Sequence, residues 1–170
     1  MRESIGATWI MGIVIFFIAL FTAFLAFSIN YSRAFRVKDG IVERIEKYNG
    51  PDLDAYVSIQ SFLSEVTYNS RGTCSHLYSE DEKYIGVSGT GEGLENIDRN
   101  PDLNDRYYYC IGKVQANTST FVMDSAYYKV VVFFNLSLPV FGNKMNFHAT
   151  GETTNIYFPN ECGFFSQDVC

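Results

Sequence analysis

The side chains with the most distinctive chemistry in this 170-residue chain are four cysteines: Cys74, Cys110, Cys162 and Cys170. An even number of cysteines in a small domain is typical of disulfides formed in an oxidising compartment. Three pairings are open to four cysteines, and their spacing does not select one. We favour Cys74 with Cys110, which would join a glycine-rich region to a central strand, and Cys162 with Cys170, which would close the C-terminal segment. Zinc is the alternative, with His76 as a further ligand, but the spacings match no zinc signature.

Oxygen-bearing side chains alternate along the segment that starts at residue 98. Asp98, Asn100, Asp102 and Asn104 stand at every second position, as at the start of a calcium-binding loop. The places where such loops carry their turn glycine and closing glutamate hold Leu and Tyr instead. A solvated acidic loop is therefore the preferred interpretation, and a calcium loop is the alternative.

No group of residues in the sequence has the spacing of a catalytic motif. The stretch Gly89–Gly93 lacks the Lys-Ser/Thr ending of a phosphate loop. The two histidines, His76 and His148, have no Cys or Ser partner in a recognisable catalytic arrangement. A net charge of -6 argues against a nucleic-acid binder, which needs a basic face. We expect no enzyme activity, no cofactor and no nucleic-acid partner.

The largest feature of the chain is an apolar run near its beginning, where Ser4–Ser32 contains no charged side chain. About 20 apolar residues span a bilayer, and this run is at least that long. Trp9 and Tyr31 bracket it, as interfacial aromatic residues do. A cleaved signal would have a shorter apolar core and a more basic start. We predict a retained transmembrane helix over residues 1–30, with a cleaved signal and a buried core helix as the alternatives.

The charges beside this helix give conflicting information about its orientation. Arg2 precedes the helix, whereas Arg33, Arg36 and Lys38 follow it, and the positive-inside rule would then place the later domain in the cytoplasm. The four cysteines indicate an oxidising compartment instead. We predict a single-pass protein of the cell membrane with a cytoplasmic N-terminus and an extracytoplasmic C-terminal domain.

A helical pattern continues beyond the membrane as an amphipathic stalk over residues 31–50, and Asn49-Gly50-Pro51 ends it. Its apolar face either packs on the chain's own domain or contacts copies and partners, and these two interpretations are compatible. The residues predicted to pack are Gly12, Phe16, Phe24, Tyr31, Phe35, Ile41 and Ile45.

The remaining residues, 51–170, are predicted to form one α+β domain. Asp52 caps a second amphipathic helix that should end near Asn69. Runs rich in β-branched and aromatic residues then predict an antiparallel meander of about three to four strands. These runs are Lys83–Val87, Arg106–Ala116, Ser125–Leu138 and Lys144–Tyr157.

Three segments resemble a known family. They are Gly6-Ala-Thr8, the run Tyr128-Lys-Val-Val-Val-Phe-Phe-Asn-Leu-Ser-Leu-Pro-Val-Phe-Gly142, and the run Met145-Asn-Phe-His-Ala-Thr-Gly-Glu-Thr153. Together with the helix-first layout, they resemble the TadE-like minor pilins, or pseudopilins, of bacterial tight-adherence and type IV pilus-related systems. The resemblance covers the two ends of the chain and leaves the middle uncovered.

This resemblance implies a pilin-like fold, a processing site between Gly6 and Ala7, and other pilin-like subunits, further copies of the chain or assembly-platform proteins as partners. The family's Glu after this site is replaced here by Trp9-Ile-Met11, so a minor or assembly component is expected rather than a major filament subunit. A membrane-tethered extracytoplasmic domain that binds or senses a ligand, through the loop from Ser79 to Asp105, is the alternative function.

Overall fold

Two helices come first in the fold, and an antiparallel sheet follows. The computed structural model describes residues 2–74, 83–89, 96–102, 104–115, 125–137 and 144–157. The elements are α1 (Arg2–Lys47), α2 (Leu53–Glu65), β1 (Lys83–Val87), β2 (Ile97–Asp98), β3 (Tyr109–Gln115), β4 (Ser125–Ser137), β5 (Lys144–Glu152) and β6 (Ile156–Tyr157). The predicted α+β class is confirmed.

A tight turn separates α1 from α2. Asn49 adopts the left-handed conformation, with φ of 56°, and the Gly50 amide donates to the Ile45 carbonyl at 2.9 Å. This is a Schellman-type end, in which the left-handed residue satisfies carbonyls that the helix leaves open. Asp52 then caps α2, because its Oδ1 accepts a hydrogen bond from the Ala55 amide at 2.8 Å. The end of α1 predicted at Asn49-Gly50-Pro51 and the cap of α2 predicted at Asp52 are therefore both confirmed.

The second helix is shorter than predicted, ending at Glu65 rather than near Asn69. Thr67 adopts a left-handed conformation, with φ of 51°, and the Tyr68 amide donates to the Leu63 carbonyl at 3.1 Å. A second Schellman-type turn therefore ends this helix without a glycine. The buried side of α2 is formed by Ala55, Tyr56, Ile59, Gln60 and Leu63.

The sheet has the strand order β2-β1-β3-β4-β5, and each pair of adjacent strands in this order is antiparallel. The short strand β6 pairs with the beginning of β4, beyond the end of β5. Thr153 separates β5 from β6: its hydroxyl accepts from the Tyr128 amide, and its own amide donates to the Tyr128 carbonyl, both at 2.9 Å. The expected three to four strands become six because β2 and β6 have two residues each, too few for a periodic signal.

Side chains of the sheet alternate between two buried clusters. The main core lies between the sheet and both helices, and it includes Ile41, Ile45 and Ile59 with Val130 and Val132. A smaller cluster lies on the opposite face of the sheet, formed by Cys74, Tyr107, Cys110, Val131 and Phe133. The helices therefore cover one face, and the segment that ends at Cys74 covers part of the other.

The segment 31–47, predicted as part of a stalk, contributes directly to the main core. Ala34, Val37, Ile41 and Ile45 are all buried, at the three-and-four spacing of one helix face. Of the two interpretations of this face, packing on the chain's own domain is the one that the structure displays. Ile41 and Ile45 are fully enclosed, so neither is accessible to a partner.

Candidate functional site

The first functional surface is the apolar part of α1, which the rest of the chain leaves uncovered. Nearly every side chain between Thr8 and Leu25 is exposed, including Phe16 at 63% and Phe24 at 62%. Exposed apolar patches on soluble monomers rarely exceed a few hundred Å². Among the described residues, α1 is the one helix long and apolar enough to cross a membrane, and it is a candidate single span.

Polar groups in and just beyond this segment are satisfied within the helix itself. The Thr22 hydroxyl lies 2.9 Å from the Ala19 carbonyl and 3.1 Å from the Ile18 carbonyl. The Asn30 side-chain amide donates to the Ala26 carbonyl at 2.9 Å. A polar group in hydrocarbon costs several kcal/mol unless it is paired, and these internal bonds remove much of that cost.

The helix meets the sheet at an aromatic cluster formed by Phe27, Tyr31, Phe35, Phe134 and Phe147. Phe27 and Tyr31 stack at 5.9 Å between ring centroids, and Tyr31 lies 4.9 Å from Phe35. Phe134 stacks on Phe147 at 5.3 Å and contacts Phe27 at 6.1 Å. Tyrosine favours the boundary between bilayer and water, so Tyr31 in this cluster suits the edge of a membrane-spanning segment.

A stripe of buried and half-buried side chains along α1 shows where the domain contacts the helix. Ala23, Phe27 and Asn30 are half-buried, and full burial starts at Ala34 and continues to Ile45. The spacing of three and four residues persists throughout, so one face of the helix docks the sheet. The exposed sides of Tyr31 and Phe35, 43% and 36% accessible, border this stripe.

Polar contacts fix α1 against α2 and the sheet at the far end. The Arg44 guanidinium donates to the Gly40 carbonyl at 2.7 Å and the Ser58 carbonyl at 3.2 Å, and it stacks 4.1 Å above the Phe62 ring. Gly40 faces that same ring, so its missing side chain lets the two helices approach. Glu46 Oε1 accepts from the Thr154 amide at 2.7 Å. These contacts hold α1 to the domain.

The favoured cysteine pair is present in the structure as a disulfide. Cys74 and Cys110 are bonded, with Cα atoms 5.9 Å apart, and both side chains are buried. The bond joins the segment after α2 to the middle of the sheet, within the smaller cluster. Cys162 and Cys170 lie outside the described residues, and so does His76.

Among the four alternating oxygen-bearing residues, Asp98 is engaged in contacts with its own domain. The Asp98 carboxylate already accepts the Tyr107 hydroxyl at 2.6 Å through Oδ2 and the Asn100 amide at 2.9 Å through Oδ1. The part of the chain that the structure describes contains no cluster of three or more His, Cys, Asp or Glu side chains suited to a metal. Asp98 therefore anchors Tyr107 through its carboxylate. A solvated acidic loop stays the preferred prediction for Asp98, Asn100, Asp102 and Asn104, and a calcium loop stays the alternative. Burial and the Asp98 carboxylate both raise the pKa of Tyr107.

The other predicted site residues divide by position along α1. Apart from the backbone of its own helix and its chain neighbours, no described atom lies within 4 Å of where a Gly12 side chain would stand, so Gly12 lies on an open surface. Gly6 and Ala7 lie within the first turns of the helix. Phe16 and Phe24 share the exposed apolar segment with Gly12, whereas Ile41 and Ile45 are in the core.

Two structural roles had no signal in the sequence. Tyr68 donates its hydroxyl proton to the Phe133 carbonyl at 2.6 Å and accepts from the Phe133 amide at 2.8 Å. Arg71 Nη2 donates to the Tyr108 hydroxyl at 2.8 Å, and its guanidinium lies 4.3 Å above the same ring. Both residues follow α2 in a segment without periodicity, and their partners are distant in the sequence.

Comparison with known proteins adds no relative: no family model, no curated protein and no solved structure matches the chain.

Proposed function

We propose that this chain is a single-pass membrane protein that serves as a pilin-like structural or assembly component of a surface filament or secretion system. It acts by packing α1 against other subunits or an assembly platform, and its closest expected counterparts are the TadE-like minor pilins. The observation that carries this proposal is the unbroken helix α1, which is apolar and uncovered over its first half and built into an α+β domain over its second half.

The disulfide supports the proposed orientation. A buried Cys74–Cys110 bond suits an oxidising compartment, so the domain is proposed to lie outside the cytoplasm, with the beginning of α1 inside. The basic residues after the apolar segment oppose this on charge counting alone. Lys38 is engaged locally, because its ammonium lies 2.8 Å from the Asp39 carboxylate and 4.1 Å above the Phe35 ring.

The proposed partner surface is the part of α1 around Gly12, Phe16 and Phe24. Helices in a bilayer associate through close packing, and glycine allows another backbone to approach. Because no other part of the described chain comes within 4 Å of a Cβ at Gly12, we expect a larger side chain there to leave the fold intact. Loss of assembly on enlarging Gly12 would therefore report on a partner.

A Gly12→Leu substitution tests this surface directly. We expect the complex extracted from native membranes to weaken by about fivefold or more, corresponding to an overpacking cost of about 1–3 kcal/mol. Ile13→Leu is the matched control, since it conserves volume at the next position and should leave assembly unchanged. Affinity purification with mass spectrometry would identify the partners.

Recovery of a lone monomer, with no secretion or pilus component beside it, would contradict the proposal. Sequencing the N-terminus of the mature protein tests the separate proposal that the chain is cut between Gly6 and Ala7. An uncut chain would rule out this processing. The proposed role in helix packing would still be tested by the Gly12→Leu substitution.

A further inference from the structure

A cleft of about 270 Å³ lies beside α1 just beyond its uncovered apolar segment. One wall is the helix from Asn30 to Val37, which supplies Arg33 and Arg36. The opposite wall is the turn after α2, where Thr67, Asn69 and Ser70 line the cleft. Two arginines therefore line a space whose other walls combine hydrogen-bonding side chains with apolar ones, which are Ala34, Val37, Val66 and Phe134.

The charge in this cleft is not neutralised by the described part of the chain. Arg33 and Arg36 are one helical turn apart and exposed, and no carboxylate among the described residues lies within ion-pair distance of either. Like charges at this spacing repel each other along a helix. An anion between them relieves that repulsion, and a phosphate suits the planar guanidinium fork because it can accept paired hydrogen bonds.

The position of the cleft along α1 indicates the source of that anion. The stretch from Thr8 to Ile29 rises about 33 Å, at 1.5 Å per residue, and so matches a hydrocarbon core of about 30 Å. Arg33 and Arg36 then lie about 6 and 10 Å beyond Ile29, in the layer that lipid headgroups occupy. The aromatic cluster at Phe27 and Tyr31 marks the same boundary.

We propose that this cleft binds the headgroup of an anionic phospholipid. The guanidinium groups of Arg33 and Arg36 hold the phosphate oxygens, and Thr67, Asn69 and Ser70 offer hydrogen bonds to the polar end of the headgroup. This binding site goes beyond the proposed role in assembly and requires only that α1 spans the membrane. It also accounts for basic residues on the outer flank, because lipid phosphate neutralises them there.

The test uses the full chain in nanodiscs of phosphatidylcholine with and without phosphatidylglycerol. Native mass spectrometry counts the lipids retained after mild extraction, and a titration gives their apparent affinity. Arg33→Gln and Arg36→Gln should each weaken retention of phosphatidylglycerol about fivefold, and the double variant about thirtyfold. Lys47→Gln is the control, since it removes one exposed charge from the same helix about 16 Å beyond Arg36.

Retention of phosphatidylglycerol that depends on both arginines and not on Lys47 supports the site. Equal retention of phosphatidylcholine and phosphatidylglycerol overturns it, as does an equal loss in the Lys47→Gln control. Inorganic phosphate is the competing probe: if it displaces the lipid at comparable concentration, the cleft is a soluble-anion site and the proposal fails. If the chain fails to enter nanodiscs, both the membrane span and this binding site are overturned. If the chain is purified as a lone monomer but still retains lipid, only the proposed assembly role is contradicted.

Discussion

A single hydroxyl group, that of Tyr68, completes the hydrogen bonding of the sheet where one strand stops early. The pairing of β3 with β4 ends at Tyr109 and Val132, but β4 continues. Phe133 therefore has an amide and a carbonyl with no partner on β3, and the Tyr68 hydroxyl satisfies both. The turn after α2 is thereby fixed to the sheet.

Replacing Tyr68 with Phe should lower the free energy of unfolding by about 1–3 kcal/mol, because two buried backbone groups lose their partner. Thermal unfolding of the full chain in detergent measures the effect. Tyr157→Phe is the matched control, since that side chain is largely exposed and its hydroxyl adds little. Equal stability of the two variants would show that the Tyr68 hydrogen bonds contribute nothing net.

The buried tyrosines also predict how stability depends on pH. Burial raises the pKa of Tyr56, Tyr68, Tyr107, Tyr109 and Tyr128 above the usual value of about 10. In the unfolded chain these groups lose their protons near pH ~10, whereas the folded chain retains them. Their contribution to stability is therefore complete below that pH and falls above it, by up to about 1.4 kcal/mol per pH unit for each tyrosine.

An alkaline titration measures this effect. Tyrosinate absorbance of the folded protein should lag behind that of the denatured protein, and the lag should vanish in the cooperative transition that unfolds the domain. Identical titration curves for folded and denatured protein would contradict the burial of these hydroxyl groups.

At the scale of elements, an aromatic contact joins the apolar segment of α1 to the sheet. Phe134 is buried between helix and sheet and contacts the rings of Phe27, Tyr31 and Phe147. The contact lies at that end of the stripe of buried residues which is next to the apolar segment, and the stripe continues from there to Ile45. The sheet therefore meets the helix at the edge of the apolar segment.

Phe134→Ala should destabilise the domain by about 3–5 kcal/mol, as expected when a large buried ring is removed from a packed core. Phe24→Ala is the control of the same chemical type, because that ring is exposed on the apolar segment of α1. Chemical unfolding of the full chain, followed by a probe in the sheet, distinguishes the two. A similar loss in both variants would mean that Phe134 does not dock the sheet.

Elements with a long, regular pattern were predictable from the sequence, and those defined by distant partners were not. The apolar run and its amphipathic continuation predicted α1, and a run rich in β-branched and aromatic residues predicted β4. The early end of α2 was missed because Thr67 takes a left-handed conformation that β-branched residues seldom adopt. The cleft beside α1 was also beyond sequence analysis, since Arg33 and Ser70 are brought together by the fold alone.

On the scale of the whole molecule, a disulfide links β3, in the middle of the sheet, to the region after α2. It joins residues separated by 36 positions. Closing a loop of that length lowers the conformational entropy of the unfolded chain, which stabilises the folded state by about 4 kcal/mol in the entropic model. The bond lies in the smaller cluster, where few apolar side chains are available. That face of the domain depends on the bond more than the helix-covered face does.

Substituting both Cys74 and Cys110 with Ala should lower the free energy of unfolding by about 2–4 kcal/mol. Because the main core on the opposite face is separate from this cluster, we expect the fold to survive. Thermal unfolding with circular dichroism checks both points. Unchanged stability of the double variant would indicate that the disulfide does not constrain the unfolded chain.

The length and continuity of α1 have a mechanical consequence. A helix of 46 residues is about 69 Å long, and its second half is clamped by the sheet and by α2. Because α1 is continuous, a torque or pull applied to its apolar half is transmitted to the sheet along one helix. The apolar half thereby sets the direction in which the domain is presented.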